Sequence, residues 1–423
     1  EVLNRVIEKA IRGSAPAQIN VPRDYWTQVV DIELPPIVRF ERQGGGKTAI
    51  DKAAKILSEA KFPVILSGAG VVIGNAIEDC KKLAEKLDAP VCNGYQHNDS
   101  FPGSHPLAVG PLGYNGSKAA MELIAKADVV LALGTRLNPF STLPGYGIDY
   151  WPKKATIIQV DMNPDRIGLT KKVTVGICGD AKMVSQQLLE KLSPTAGDSG
   201  REDRKNLIHQ TKSSWLQTLT SLDHEDDDPG TVWNKEARER DKDRMSPRQA
   251  WRAIQAGMPD DVIISSDIGN NCAIGNAYPT FEKGRKYLAP GLFGPCGYGF
   301  PSILGAKIGC PDTPVIGFAG DGAFGISMNE MSSCAREDWP AISMVIFRNY
   351  QWGAEKRNSI LWFDDNFVGT ELDPELSYSK VAIACGLKGI TVKTMEETTK
   401  AIKQSCEDQK KGITTFIEVI LNQ

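Results

Sequence analysis

The sequence predicts an α/β protein: two doubly wound parallel-sheet domains, preceded by the tail of a third α/β domain. Two observations carry this. Helical-period segments and short apolar runs alternate from about Gly46 to Leu192, and again from about Ser246 to the C-terminus. In the second stretch three apolar runs end in turns rich in Gly, Asp and Asn, the place where open parallel sheets gather ligands.

Residues 1–40 are too few for a domain. Val2, Leu3, Val6, Ile7 and Ala10 recur at helical spacing, and Gln18-Ile19-Asn20-Val21-Pro22 reads as a strand ending at proline. The expectation is the last helix and strand of a domain that begins outside this chain, which has no initiator Met. Residues 46–192 form the central domain. A helix is predicted over Ala49 to Ala60, and strands over Pro63–Gly68, Asp128–Leu133 and Thr156–Val160. Gly68-Ala69-Gly70 with Gly74 resembles half of a dinucleotide fingerprint. The acid that should end the next strand is absent; Asp88 ends a Lys-rich helix instead, so a tight turn is the favoured reading.

Residues 193–245 read as a polar linker with some helix. Pro194 to Arg204 is rich in Gly, Ser and charge, Asp223 to Asp228 is acidic, and Asn234 to Arg244 mixes both signs. Residues 246–423 form the last domain. Ser246-Pro247 is a helix start, and apolar runs follow at Val262–Ser266, Val315–Ala319 and Ile342–Phe347.

Composition excludes several functions. The 423 residues carry a net charge of −3, with no basic footprint for nucleic acid. No apolar run approaches a membrane span, and the N-terminus lacks the regions of a signal peptide. Nine cysteines lie scattered without a Cys-x-x-Cys pair, which fits free thiols in a reducing cytoplasm. The four histidines lack ligand-like spacing. His97 and Asn98 read as surface-loop residues, and His105, before Pro106, as structural.

Chemistry concentrates in the last domain. Gly320-Asp321-Gly322, followed by Ala323, ends one apolar run. The next run ends at Arg348-Asn349-Tyr350-Gln351-Trp352-Gly353. An Asp carboxylate, an Asn carbonyl and a loop carbonyl form a hard oxygen set suited to Mg²⁺. The glycines let backbone N–H groups approach a phosphate. Gly269-Asn270-Asn271 closes a third run and could donate to phosphate oxygens. Between them lies Gly294-Pro295-Cys296-Gly297-Tyr298-Gly299-Phe300-Pro301.

This pattern resembles the motif of the thiamin-diphosphate-dependent enzymes. The resemblance implies thiamin diphosphate and Mg²⁺ as cofactors. It places the metal ligands at Asp321, Asn349 and the main-chain carbonyl of Gln351, with Trp352 and Gly353 beside them. It sets the Cys296-Gly297 loop under the thiazolium ring, where the family carries a large apolar wedge. The family also carries a second Asn where this chain has Arg348. The family's glutamate, from a pyrimidine-binding domain, has no counterpart here, and residues 1–40 correspond to that domain's tail. On that expectation the chain alone binds cofactor poorly.

Three segments are similar to the sulfoacetaldehyde acetyltransferase branch of the family: Ile19 to Trp26, Gly294 to Phe300, and Phe347 to Asn358. That likeness implies desulfonation of sulfoacetaldehyde with phosphate, giving acetyl phosphate and sulfite, in a homodimer or homotetramer. Both substrates are anions, so Arg348, Lys356 and Arg357 are the expected substrate cations. An acetolactate-synthase-type carboligase or decarboxylase, a non-catalytic subunit, and a redox flavoprotein are the alternatives.

Overall fold

The computed structural model describes residues 1–13, 15–33, 41–193, 200–221, 241, 243–291, 293–363, 366 and 368–422. Helix α1 (Val2–Gly13) forms where the apolar spacing places it. The strand expected at Gln18–Pro22 does not form. That segment is exposed, and among the described residues no strand lies beside it. Extended sequence becomes a strand only when a neighbour accepts and donates its ladder bonds.

The central domain is one parallel sheet of six strands in the order β3-β2-β1-β4-β5-β6. These are β1 (Pro63–Ser67), β2 (Val91–Asn93), β3 (Ala108–Pro111), β4 (Val129–Leu133), β5 (Thr156–Asp161) and β6 (Val175–Cys178). Every residue of β1 and β4 is buried, the mark of strands covered on both faces. Helices α2 (Lys47–Glu59), α3 (Ala69–Ile73), α4 (Ile77–Leu87), α5 (Lys118–Ile124) and α6 (Ala181–Lys191) cover them. The Gly68–Gly70 turn has a packing reason. A Cβ on Gly70 would stand 2.6 Å from Gly134 Cα, so the loops after β1 and β4 cross in contact. No acid ends β2, whose last residue is Asn93. A cleft of about 330 Å³ opens beside these turns, lined in part by His97, Thr135 and Arg136.

The first part of the predicted linker is helix α7 (Arg201–Ser221). It buries Ile208 and Trp215, and Arg204 donates to the main-chain oxygens of Lys61, Leu87 and Asp88. The acidic cluster Asp223–Asp228 lies outside the described residues.

The last domain is a second parallel sheet, ordered β11-β12-β10-β9-β7-β8. Its strands are β7 (Ile263–Ser266), β8 (Tyr287–Leu288), β9 (Val315–Gly320), β10 (Ser343–Arg348), β11 (Lys388–Val392) and β12 (Thr415–Ile420). Alternate residues of β10 feed two cores, Val345 and Phe347 on one face, Met344 and Ile346 on the other. That is why the run reads as uniformly apolar. Helix α8 (Pro247–Gly257) starts with a capping box of Ser246 and Gln249. Its Trp251 packs tilted against Phe318 and Phe347, and its indole N–H donates to the Asn271 main-chain oxygen at 3.1 Å. Chain order reverses between β7 and β9, so the crevice of this sheet opens there.

Asn276 joins the two domains. It follows α9 (Asn270–Gly275), and its Oδ1 accepts from Gln96 N at 3.2 Å. Its Nδ2 donates to the main-chain oxygens of Leu112 and Tyr114. Asn98 donates to the main-chain oxygens of Asn276 and Pro279. Asn98 is thus buried between domains, and His97 is half-buried in the wall of the cleft, where desolvation lowers its pKa to about 4, so neither is the surface-loop residue expected. His105 packs edge-on against Phe101 and pairs with Glu85. Among the described residues no helix is long and apolar enough to cross a membrane.

Candidate active site

Phe347 pairs with Gly320 across β10 and β9. The next residues, Arg348 and Asp321, therefore stand side by side at the carboxyl edge of the sheet. Asp321 opens α11 (Asp321–Ser327) and is 1% exposed. Its Oδ2 accepts from Tyr350 N at 2.7 Å and from Arg348 Nη1 at 3.0 Å. Its Oδ1 accepts from Gly322 N at 3.0 Å. Burial pushes this carboxyl up to about 6, against the pull of the Arg348 charge.

The Asp321 carboxylate and the Gln351 main-chain carbonyl both approach the Asn349 amide. One amide position of Asn349 lies 3.2 Å from Asp321 Oδ1 and 3.1 Å from the Gln351 main-chain oxygen. With nitrogen there, the amide donates to both, the arrangement favoured without a cation. With oxygen there, the Asn349 oxygen stands beside both the Asp321 carboxylate and the Gln351 carbonyl, at separations near the ~3.0 Å expected between two oxygens bound ~2.1 Å from one Mg²⁺. The donor set, one carboxylate and two neutral oxygens, thus fits Mg²⁺. Among the described residues no group of three His, Cys, Asp or Glu gathers as an alternative metal site.

The neighbouring turn fits a diphosphate. Asn271 Nδ2 is buried and has no hydrogen-bond partner. A buried amide donor without an acceptor is costly, and a phosphate oxygen would satisfy it. Asn270 Nδ2 and the other amide position of Asn349 lie about Gly353, each near 3 Å from where a Cβ would stand. Gly322 is forced by contact: a Cβ there would meet the Trp352 indole at 2.7–2.9 Å.

The Gly294–Gly299 loop is built by a residue that sequence reading missed. Asp267 is fully buried, and its carboxylate accepts from Ile268 N, Gly297 N and Gly299 N at 2.7–3.1 Å. Burial still raises its pKa above the carboxylate norm. The available signal was its position, an Asp directly after an apolar strand, as at Asp321. Cys296 is exposed, with its thiol pKa raised by partial burial and so not activated as a nucleophile. Ile326 beside Gly297 and Ile268 beside Gly294 supply the apolar contacts around this loop.

The three expected substrate cations separate. Arg348 is a correction: it is 0% exposed, its Nη1 donates to Asp321 and its Nη2 to the main-chain oxygens of Asp373 and Leu376, and its Nε is buried without a hydrogen bond. No substrate anion reaches it from solvent. On α13 (Gly353–Trp362), Lys356 pairs with Glu371 at 2.5 Å. Arg357 is exposed and donates to the Tyr114 hydroxyl of the central domain at 2.8 Å.

Residues 50–188 match the family described as thiamine pyrophosphate enzyme, central domain, and residues 267–419 its C-terminal TPP binding domain. A probable sulfoacetaldehyde acetyltransferase of Rhizobium meliloti is 77% identical, over all of this chain and 72% of that protein. The sulfoacetaldehyde acetyltransferase of Roseovarius nubinhibens is 71% identical, over all of this chain and 70% of that protein. More distant is a probable acetolactate synthase large subunit of Methanocaldococcus jannaschii, 30% identical over 96% of this chain and 67% of that protein. The chain belongs to the sulfoacetaldehyde acetyltransferase family of thiamine pyrophosphate enzymes.

Proposed function

We propose that the protein converts sulfoacetaldehyde and phosphate to acetyl phosphate and sulfite, using thiamin diphosphate and Mg²⁺. The observation that carries the substrate reading is identity of 66–77% to three relatives bearing that enzyme's name, against 27–30% to acetolactate synthases. When bound, thiamin diphosphate supplies a nucleophilic carbon for the aldehyde and an electron sink for loss of sulfite.

The chain's own residues do the holding. Asp321, Asn349 and the Gln351 carbonyl would bind Mg²⁺, with Asn271 donating to a diphosphate oxygen. Asp267 fixes the Gly294–Gly299 loop that would lie under the ring. Sulfonate and phosphate both need a fixed cation. Arg357 is the better candidate, because its partner Tyr114 is neutral whereas Glu371 already offsets the Lys356 charge. We take the working form to be a cytoplasmic homodimer or homotetramer.

The competing 2-oxo acid reading is tested by offering the protein pyruvate with both cofactors. The expected outcome is no carbon dioxide and no acetolactate. Turnover of pyruvate faster than sulfoacetaldehyde would replace this reading with a carboligase.

A further inference from the structure

We propose that Arg348 is a positioning residue that presets the Mg²⁺ ligand Asp321 through a closed buried circuit. The inference rests on the cofactor reading above and gives a role to the buried arginine directly before Asn349.

The circuit holds Asp321 at two points. Arg348 Nη1 and Tyr350 N both donate to Oδ2, which leaves Oδ1 to the Gly322 N–H and the Asn349 amide. Tyr378 donates its hydroxyl to the Asp321 main-chain oxygen at 2.9 Å. The Arg348 guanidinium lies 4.4 Å from the Tyr350 ring centroid and 5.4 Å from that of Tyr378. Glu418 closes the ring: it accepts from Tyr378 N and Ser379 N, and its Oε1 lies 3.6 Å from Arg348 Nε. Arg348 Nη2 also donates to the main-chain oxygens of Asp373 and Leu376, tying the carboxylate to the segment that leads into α14 (Tyr378–Ala384).

A planar fork makes these bonds at fixed angles; an ammonium cannot. Outer partners of metal ligands typically change affinity by ~10–100-fold when removed. A substrate-binding cation would behave differently, moving KM and leaving metal affinity alone.

The test is the Mg²⁺ affinity of the intact protein at saturating thiamin diphosphate, read by tryptophan fluorescence, for wild type, Arg348→Lys and Tyr378→Phe. Arg348→Lys keeps the charge in a buried site that also holds two carboxylates. Its Mg²⁺ affinity should fall by roughly 10–100-fold. KM for both substrates should stay unchanged at saturating cofactors, and excess Mg²⁺ should restore turnover. Tyr378→Phe should weaken Mg²⁺ in the same direction by a smaller factor, and it decides the matter if Arg348→Lys does not fold. Wild-type Mg²⁺ affinity in the folded variants overturns the proposal. So does a raised KM for phosphate or sulfoacetaldehyde with Mg²⁺ affinity intact. If the wild type itself shows no Mg²⁺-dependent cofactor binding, the cofactor reading fails, and this inference with it.

Discussion

Gly322 shows how little room the site leaves. A methyl group there would press into the Trp352 indole at under 3 Å. Gly322→Ala should therefore cost about 1–3 kcal/mol in thermal unfolding, the usual range for overpacking. Combined with Trp352→Leu, the added cost should largely vanish; additive losses would mean that the indole is not the obstacle. The juxtaposition of Asp321, Asn349 and Gln351 was legible, because they follow apolar runs that had to be neighbouring strands. The role of Arg348 was not. A cation beside a ligand reads the same whether it turns to solvent or to the core, and the deciding partners, Glu418 and Tyr378, lie 70 and 30 residues further along the chain.

The strands legible in the sequence, β1, β4, β5, β7, β9 and β10, are buried on both faces; β2, β3, β6, β8, β11 and β12 were not read. Val315–Gly320 and Ser343–Arg348 could not be mistaken for amphipathic elements once Gly and Asp punctuated them. Gln18–Pro22 failed for the opposite reason: its composition suits a strand, but a partner decides. Loops fall between these cases. The Gly294–Gly299 loop has no ladder of its own, and Asp267 substitutes for one by accepting three main-chain N–H groups. Asp267→Ala should leave those donors unpaired, at about 1–3 kcal/mol for each that stays buried. Hydrogen exchange should quicken at Gly297 and Gly299, and thiamin diphosphate affinity should fall. Unchanged exchange at these amides would show that the loop is held from elsewhere.

Across the molecule, Asn276 is a main tie at the junction between the sheets: it stands in the last domain and its side chain bonds three main-chain groups of the central domain. Asn276→Ala should separate calorimetric unfolding into two transitions, because each sheet has its own core. A single transition at unchanged temperature would place the coupling outside Asn276. This junction was not visible in the sequence, where Asn276 is one polar residue in a short helical stretch. It also sets Tyr114 against Arg357, so the cation proposed for substrate is held by the central domain. The most direct test of the whole account is sulfite release from sulfoacetaldehyde by the intact protein with thiamin diphosphate and Mg²⁺. Sulfite and acetyl phosphate should appear in equal amounts, only when phosphate is present, and Asp321→Ala should abolish both. Sulfite independent of phosphate, or undiminished in Asp321→Ala, would contradict the account.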